Sequence, residues 1–426
     1  MQTNPARVAA AAMALTEPGP ARRARRGHGR ATLDDVAAVA EVTKITVSRY
    51  LREPARVAPA TAERVRAALA ATGYLPNTQA GLLASGRSNI VAALIPNLGH
   101  SIFGETVQAL SEALQATGHE LLLASTGYSP EREEEQLRTL LGWAPSALVV
   151  TGRHHTPGAL RLLAEARAAG TPVVEIWDHH PPELTTTQAS MAAPMAAPMP
   201  FAQIGFDHGA VGQAMAAHLL DAGHRRLAYL DSGLDTDFRA HERGAAFAAE
   251  AQRRGAQVQM LRAAVGDPFN AGRQAFDDLG LGGRRRLVSA TVADTATATA
   301  SANVPSTSTS TSTASAAATA KFPTTDTDTD TATAIACAND HLACGVLMQA
   351  LDAGVAVPDD LAVLGFGDFP VGRQLRPALS TVRPPSQEIG RATAQALARA
   401  LATGEPPQSR ALPWQLIARG STAPRR

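Results

Sequence analysis

The side chains best placed for chemistry lie between residues 32 and 56. Thr32 is followed three residues later by Asp35, the spacing at which a hydroxyl and a carboxylate cap one helix start reciprocally. Thr43 takes the same N-cap role before Lys44–Leu51. Small apolar residues (Val36, Ala37, Ala40 and Val42) stand where two helices must cross closely, facing Val47. That leaves Lys44, Ile45, Ser48, Arg49 and Arg52 pointing outward. Arg49 can give paired hydrogen bonds to a guanine edge, and Ile45 can touch a thymine methyl. Thr32, Thr43, Thr46 and Arg56 are spaced to hold phosphates, which fixes position without reading sequence. A third helix, Pro59–Thr72, has proline in its first turn and packs Val65, Ala68 and Leu69 beneath the other two. The chemistry implied is recognition of double-stranded DNA by a helix-turn-helix.

Charge distribution agrees. The whole chain carries a formal net charge of +1, yet residues 21–90 hold 12 Lys/Arg against 5 Asp/Glu. A basic head on a mildly acidic body points to a polyanion partner for the head alone. Apolar residues make up 45% of the 426, enough for a sizeable core and for more than one domain. The two cysteines, Cys337 and Cys344, exclude a disulfide framework and form no metal-ligand pattern, so no metal is expected. No stretch is apolar for the roughly 20 residues a bilayer span requires. The N-terminal arginines follow the apolar stretch instead of preceding it, the reverse of a secretory signal, so a cytoplasmic, non-membrane protein is expected. There is neither a Gly-x4-Gly-Lys-Ser/Thr phosphate loop nor an ordered nucleophile, base and acid, which argues against an enzyme and against a cofactor.

The elements that must position a second site begin at Asn89. Apolar strands alternate with amphipathic helices: strands Ile90–Ile95, Glu120–Ser125, Ala147–Thr151 and Pro172–Ile176, with helices between them. The rhythm resumes at Ile204 and runs to a last strand near Leu416–Ala418. Such repetition implies parallel sheets covered by helices, in two units of similar size with a ligand cleft between them. Residues 1–30 read as a disordered basic tail. Residues 184–200 and 284–334, rich in Thr, Ser, Ala, Asp and Pro, read as disordered insertions in surface loops. The expected organisation is a head over 31–76, a connector over 77–88, a bilobed body over 89–420 and a tail over 421–426.

Thr32-Leu-x-Asp-Val-Ala-x-x-Ala-x-Val-Thr-x-x-Thr-Val-Ser-Arg49, followed by Thr72-Gly-Tyr-x-Pro-Asn77, resembles the LacI/GalR repressors. Further likeness lies in Gly223-His-Arg-Arg-Leu-Ala-Tyr-Leu230, Ala338-Asn-Asp-x-x-Ala-x-Gly345, Val357-Pro-Asp-Asp-Leu361 and Leu416-Ile-Ala-Arg-Gly-Ser-Thr422. The resemblance implies a lambda-repressor-like all-α head on a body like the periplasmic binding proteins, with two parallel-sheet lobes. It implies a homodimer on operator DNA and a hinge helix within 77–88, in which Asn77 and Ala80 meet the DNA and Leu83 wedges into the minor groove. Two residues depart from the pattern. Glu41 stands where the family's turn usually has glycine, so a left-handed backbone there costs about 1–2 kcal/mol. Gly81 lowers the helicity of the connector by about 1 kcal/mol.

Within the family, Gly127-Tyr-Ser-Pro-Glu and Thr151-Gly-Arg-His-His-Thr-Pro157 look most like the gluconate utilisation repressors. A sugar or sugar-acid effector needs cations for its carboxylate and hydrogen-bonding groups for its hydroxyls. At family cleft positions stand Phe103, Arg153, His155, Arg239, Arg243, Phe269, Asp340 and Asp368. Alternatives stay open for several of them. Phe103 can pack a helix start, His154 and His155 can be a solvated loop, and Asp340 can anchor its loop. Gly365-Phe-Gly-Asp368 displaces by one the acidic residue that the family usually carries. The implied function is an effector-controlled transcriptional repressor; the alternative is a sugar-binding protein without DNA regulation, against which the helix-turn-helix argues.

Overall fold

The computed structural model describes residues 31–75, 88–99, 102–180, 201–281 and 331–423. The expected tail over 1–30, the hinge residues Asn77, Ala80 and Leu83, the whole of insertion 184–200 and nearly all of 284–334 lie outside these. The described residues divide into two compact units, one before residue 85 and one after.

The first unit is built on caps. Helix α1 (Leu33–Val39) opens on the Thr32–Asp35 box: Asp35 N–H donates to Thr32 Oγ1 at 3.3 Å, and Thr32 N–H donates to Asp35 Oδ2 at 2.8 Å. Helix α2 (Lys44–Arg52) opens on Thr43, whose hydroxyl accepts from Thr46 N–H at 3.3 Å. Helix α3 (Pro59–Thr72) starts with proline and ends at Gly73 in the left-handed region. Val36, Ala37, Ala40, Val47, Val65 and Ala68 form the buried core. Small residues at the crossing let α1 and α2 approach. The turn between them passes through Glu41 at φ +51°, the left-handed position that a residue with a Cβ occupies only at a cost.

The second unit has two six-stranded sheets. The first runs in the order β11-β5-β4-β3-β1-β2, built from β1 (Ile90–Ile95), β2 (Glu120–Ser125), β3 (Ala147–Thr151), β4 (Val173–Ile176), β5 (Ala202–Gly205) and β11 (Arg410–Ala411). The second runs β12-β10-β9-β8-β6-β7, from β6 (Arg226–Asp231), β7 (Gln257–Arg262), β8 (Ala334–Cys337), β9 (Ala362–Phe366), β10 (Ser380–Arg383) and β12 (Gln415–Ile417). Every pairing is parallel except that of β10 with β12. Central strands such as β1, β3 and β9 are apolar almost throughout because helices cover both faces.

The helices that frame the cleft are α4 (Gly104–Gln115), α5 (Pro130–Leu141) and α6 (Pro157–Ala168) in the first lobe. In the second lobe α7 (His208–Asp221) packs on α8 (Phe238–Arg253), and α9 (Pro268–Asp278) packs on α10 (Asp340–Asp352). After the short α11 (Pro370–Gln374), the long α12 (Ser386–Thr403) returns to lie against α4. That contact is close: a Cβ at Gly390 would sit 2.5 Å from the Thr106 carbonyl oxygen. The chain therefore passes between the lobes three times: after β5, after β10 and between β11 and β12.

The expected strands and helices fall within a few residues of the observed ones. Strand β8 starts at Ala334, inside the stretch whose composition reads as an insertion, and Ala332 and Ala334 are buried. Thr/Ala-rich sequence suits an exposed loop and a strand start equally well. Strands β7 and β10 and helix α9 were absent from the sequence reading. β7 is a sheet edge with alternating polar residues, and β10 is only four residues long.

Candidate functional site

In the head, Val47 alone of α2 is fully buried, and the outward face carries the expected groups. Ile45 is 68% exposed, unusual for a large apolar side chain and apt for apolar contact with a partner. Lys44, Arg49, Arg52 and Arg56 are exposed, and Ser48 is partly so. Arg52 folds back on the Ser48 carbonyl and hydroxyl at 3.3 Å, whereas Lys44 pairs with Asp34 at 3.0 Å in an exposed bridge of little strength. The Thr43 and Thr46 hydroxyls lie 2.9 Å apart at the helix start, where free backbone N–H groups favour an anion.

In the body, a small cavity opens between the lobes, at the carboxyl ends of the strands. Phe103, Trp177 and Phe366 supply an aromatic wall. Phe103 and Trp177 meet edge to face, with ring centroids 5.0 Å apart. The Trp177 indole N–H donates to Thr106 Oγ1 at 3.1 Å, and that hydroxyl donates to the Ser386 carbonyl at 2.8 Å. Two guanidiniums stack on these rings. The Arg243 guanidinium lies 3.9 Å from the Phe366 centroid, donates to the Ala338 carbonyl at 2.9 Å and to His208 Nδ1 at 3.0 Å. His208 Nε2–H then donates to the Trp177 carbonyl at 2.8 Å. Burial, followed by the charges of Arg243 and Arg239, lowers the His208 pKa well below 6.5, so the ring is a neutral bridge between lobes. Arg239 lies over Phe103 and Phe238 and also lines the cavity. Asp178 is wholly buried near Arg239; burial raises its pKa to about 7 against the pull of Arg239 and Arg153.

Three family descriptions match along the chain: bacterial regulatory proteins of the lacI family over 32–77, periplasmic binding proteins and sugar binding domain of the LacI family over 88–279, and a periplasmic binding protein-like domain over 216–422. The HTH-type transcriptional regulator GntR of Pseudomonas aeruginosa is 33% identical over 401 residues, covering 93% of this chain and 97% of that protein. This chain belongs to the LacI/GalR family of transcriptional regulators. The GntR regulator of Escherichia coli K12 is 29% identical over 86% of this chain and 91% of its own length. Among solved structures, a LacI-family regulator from Silicibacter pomeroyi superposes with a TM-score of 0.71, at 26% identity, over 92% of this chain and 99% of that one. These relatives are regulators, and the LacI-family chain is a regulator, not an enzyme. Among the described residues no helix is long and apolar enough to cross a membrane.

Of the effector residues expected in this LacI-family regulator, the structure brings Phe103, Arg239 and Arg243 together in the cavity. Five others are placed elsewhere. His155 is buried in the first lobe with Nδ1 2.6 Å from Glu133 Oε1 and Nε2 3.4 Å from Glu175 Oε1, because those carboxylates outcompete a solvent-exposed position. Arg153 is engaged by Glu242 at 3.0 Å and does not line the cavity. Phe269 packs against His341, 5.1 Å between centroids, one ring behind the wall. Asp340 is buried: Oδ1 accepts from the Thr381 hydroxyl at 2.6 Å and Oδ2 from Phe369 N–H at 2.7 Å, anchoring the loop. Asp368 binds Arg373, Arg383 and Arg419 within 2.5–2.7 Å. Gly367, at φ +133°, turns the chain so that this carboxylate leaves the cleft. The sequence reading missed Trp177 and His208, which act through positions far apart in sequence. The only local signal was Asp207, whose side chain caps α7 by accepting from Ala210 N–H at 3.0 Å.

Proposed function

We propose that this LacI-family regulator is a homodimeric repressor that binds a pseudo-palindromic operator and is controlled by a sugar acid of the gluconate class. The observation that carries the effector class is the charge of the cleft wall. Arg239 and Arg243 are each 4% exposed, line the cavity, and each keeps a buried nitrogen with no hydrogen-bond partner, Nη1 and Nε respectively. Among the described residues Asp237 is the one carboxylate in that lining, and it is occupied in capping α8. His208 is neutral, and the acidic residue after β9 faces away. A carboxylate answers this excess of positive charge, and the aromatic wall takes the carbon chain. The names of the regulators with similar sequences support the same reading.

In the head, Arg49 and Ile45 read base edges, with Lys44, Ser48 and Arg52 alongside. Thr32, Thr43, Thr46 and Arg56 hold phosphates; Asn77, Ala80 and Leu83 continue the contact from the hinge. Effector and operator are then coupled through the body, each changing affinity for the other by the same factor. A gel-shift series on the full chain with its operator tests this. Millimolar gluconate should shift operator affinity at least tenfold, and Arg49→Ala should remove sequence preference. An operator affinity that stays constant across sugar acids overturns the effector assignment.

A further inference from the structure

Beside the cavity, but outside its lining, one carboxylate joins the lobes. Glu242, on α8 of the second lobe, accepts from Arg153 Nη2 at 3.0 Å through Oε2, and its Oε1 lies 2.9 Å from His180 Nε2, which is itself 3.0 Å from Arg153 Nη2. Arg153 follows β3 and His180 follows β4, both in the first lobe. Next to them the His154 ring lies against Phe238, also on α8, with centroids 4.0 Å apart. The three side chains are between 15% and 23% exposed, so water screens the Arg153–Glu242 pair only in part. Burial drives the Glu242 carboxyl upward, yet hydrogen bonds from His180 and the charge of Arg153 win and hold it below its ordinary value, which keeps it ionised.

We propose that Glu242 is a clasp that holds the two lobes closed before any effector arrives. The lobes are joined by three thin chain crossings, a geometry in which hinge motion costs little backbone energy. A contact that ties the two lobes together in this way then sets the balance of open and closed forms. Without it the closed form has to be created by the ligand, and the apparent affinity falls by the closed fraction. The clasp acts on the empty protein and is independent of which effector is bound.

Hydrogen exchange of the full-length, ligand-free chain tests this. Glu242→Gln should raise exchange about tenfold in segments 152–156, 177–180 and 238–243, leaving β1, β8 and the head unchanged. Arg153→Gln should do the same, and the double variant should add nothing further, as expected for two ends of one contact. Salt provides a control that needs no substitution: raising ionic strength in the wild type should increase exchange in the same three segments only. Unchanged exchange in those segments under high salt, or additive effects of the two substitutions, overturns the clasp.

Discussion

His155→Gln should alter how stability depends on pH more than it alters stability in alkali. The imidazole is fully buried between Glu133 and Glu175. Burial alone would lower its pKa, but hydrogen bonds to the two carboxylates raise it to about 9. Since the folded value lies above the ordinary 6.5, the folded chain holds this proton more tightly than the unfolded one. The stabilisation is complete below pH 6.5 and is lost as pH rises through 9. One pKa unit corresponds to about 1.4 kcal/mol, so the cation contributes on the order of 3 kcal/mol at pH 6 and less than about 1 kcal/mol near pH 9. Urea unfolding of the full chain at fixed ionic strength, at each pH from 6 to 9, measures the slope. Wild type should lose about 2–3 kcal/mol across that range, whereas His155→Gln should start lower and stay nearly level. Parallel curves for the two proteins would refute the reasoning, because the titrating group would then lie elsewhere.

Arg243→Gln should weaken binding of an anionic effector about 10- to 100-fold, the loss of a charged hydrogen bond, with the melting temperature read as a control. Asp368→Asn should leave effector binding within about twofold but destabilise the body by about 2–4 kcal/mol in urea, since three guanidiniums lose their shared partner. Glu41→Gly should stabilise the head by about 1 kcal/mol by removing left-handed strain, seen as slower hydrogen exchange confined to residues 33–52.

What could be read from the sequence was what is local. The Thr32–Asp35 box, the Thr43 cap and the proline start of α3 each rest on residues within four positions, and all three formed. The alternation of strand and helix was legible for the same reason. The site was less so. Arg239 and Arg243 share a helix face one turn apart, and that spacing is visible in the chain. The fate of His155 depends on Glu133 and Glu175, which arrive from a helix and a strand 22 and 20 positions away. Asp368 illustrates a sharper limit. Its family-like position points to a ligand, but Arg383 and Arg419 come from later elements, and the φ of Gly367 decides the direction. No window along the sequence contains all of these.

Trp177 gives the regulator an optical reporter of its own cleft. The chain has three tryptophans, and of the other two Trp143 is 49% exposed while Trp414 is only partly buried. The Trp177 indole sits in the cavity wall with its N–H committed to Thr106, so an occupant that displaces the hydroxyl or covers the ring changes its emission directly. Replacing Trp143 and Trp414 by phenylalanine leaves one tryptophan, and titrations with excitation selective for indole can then follow occupancy without dye or label.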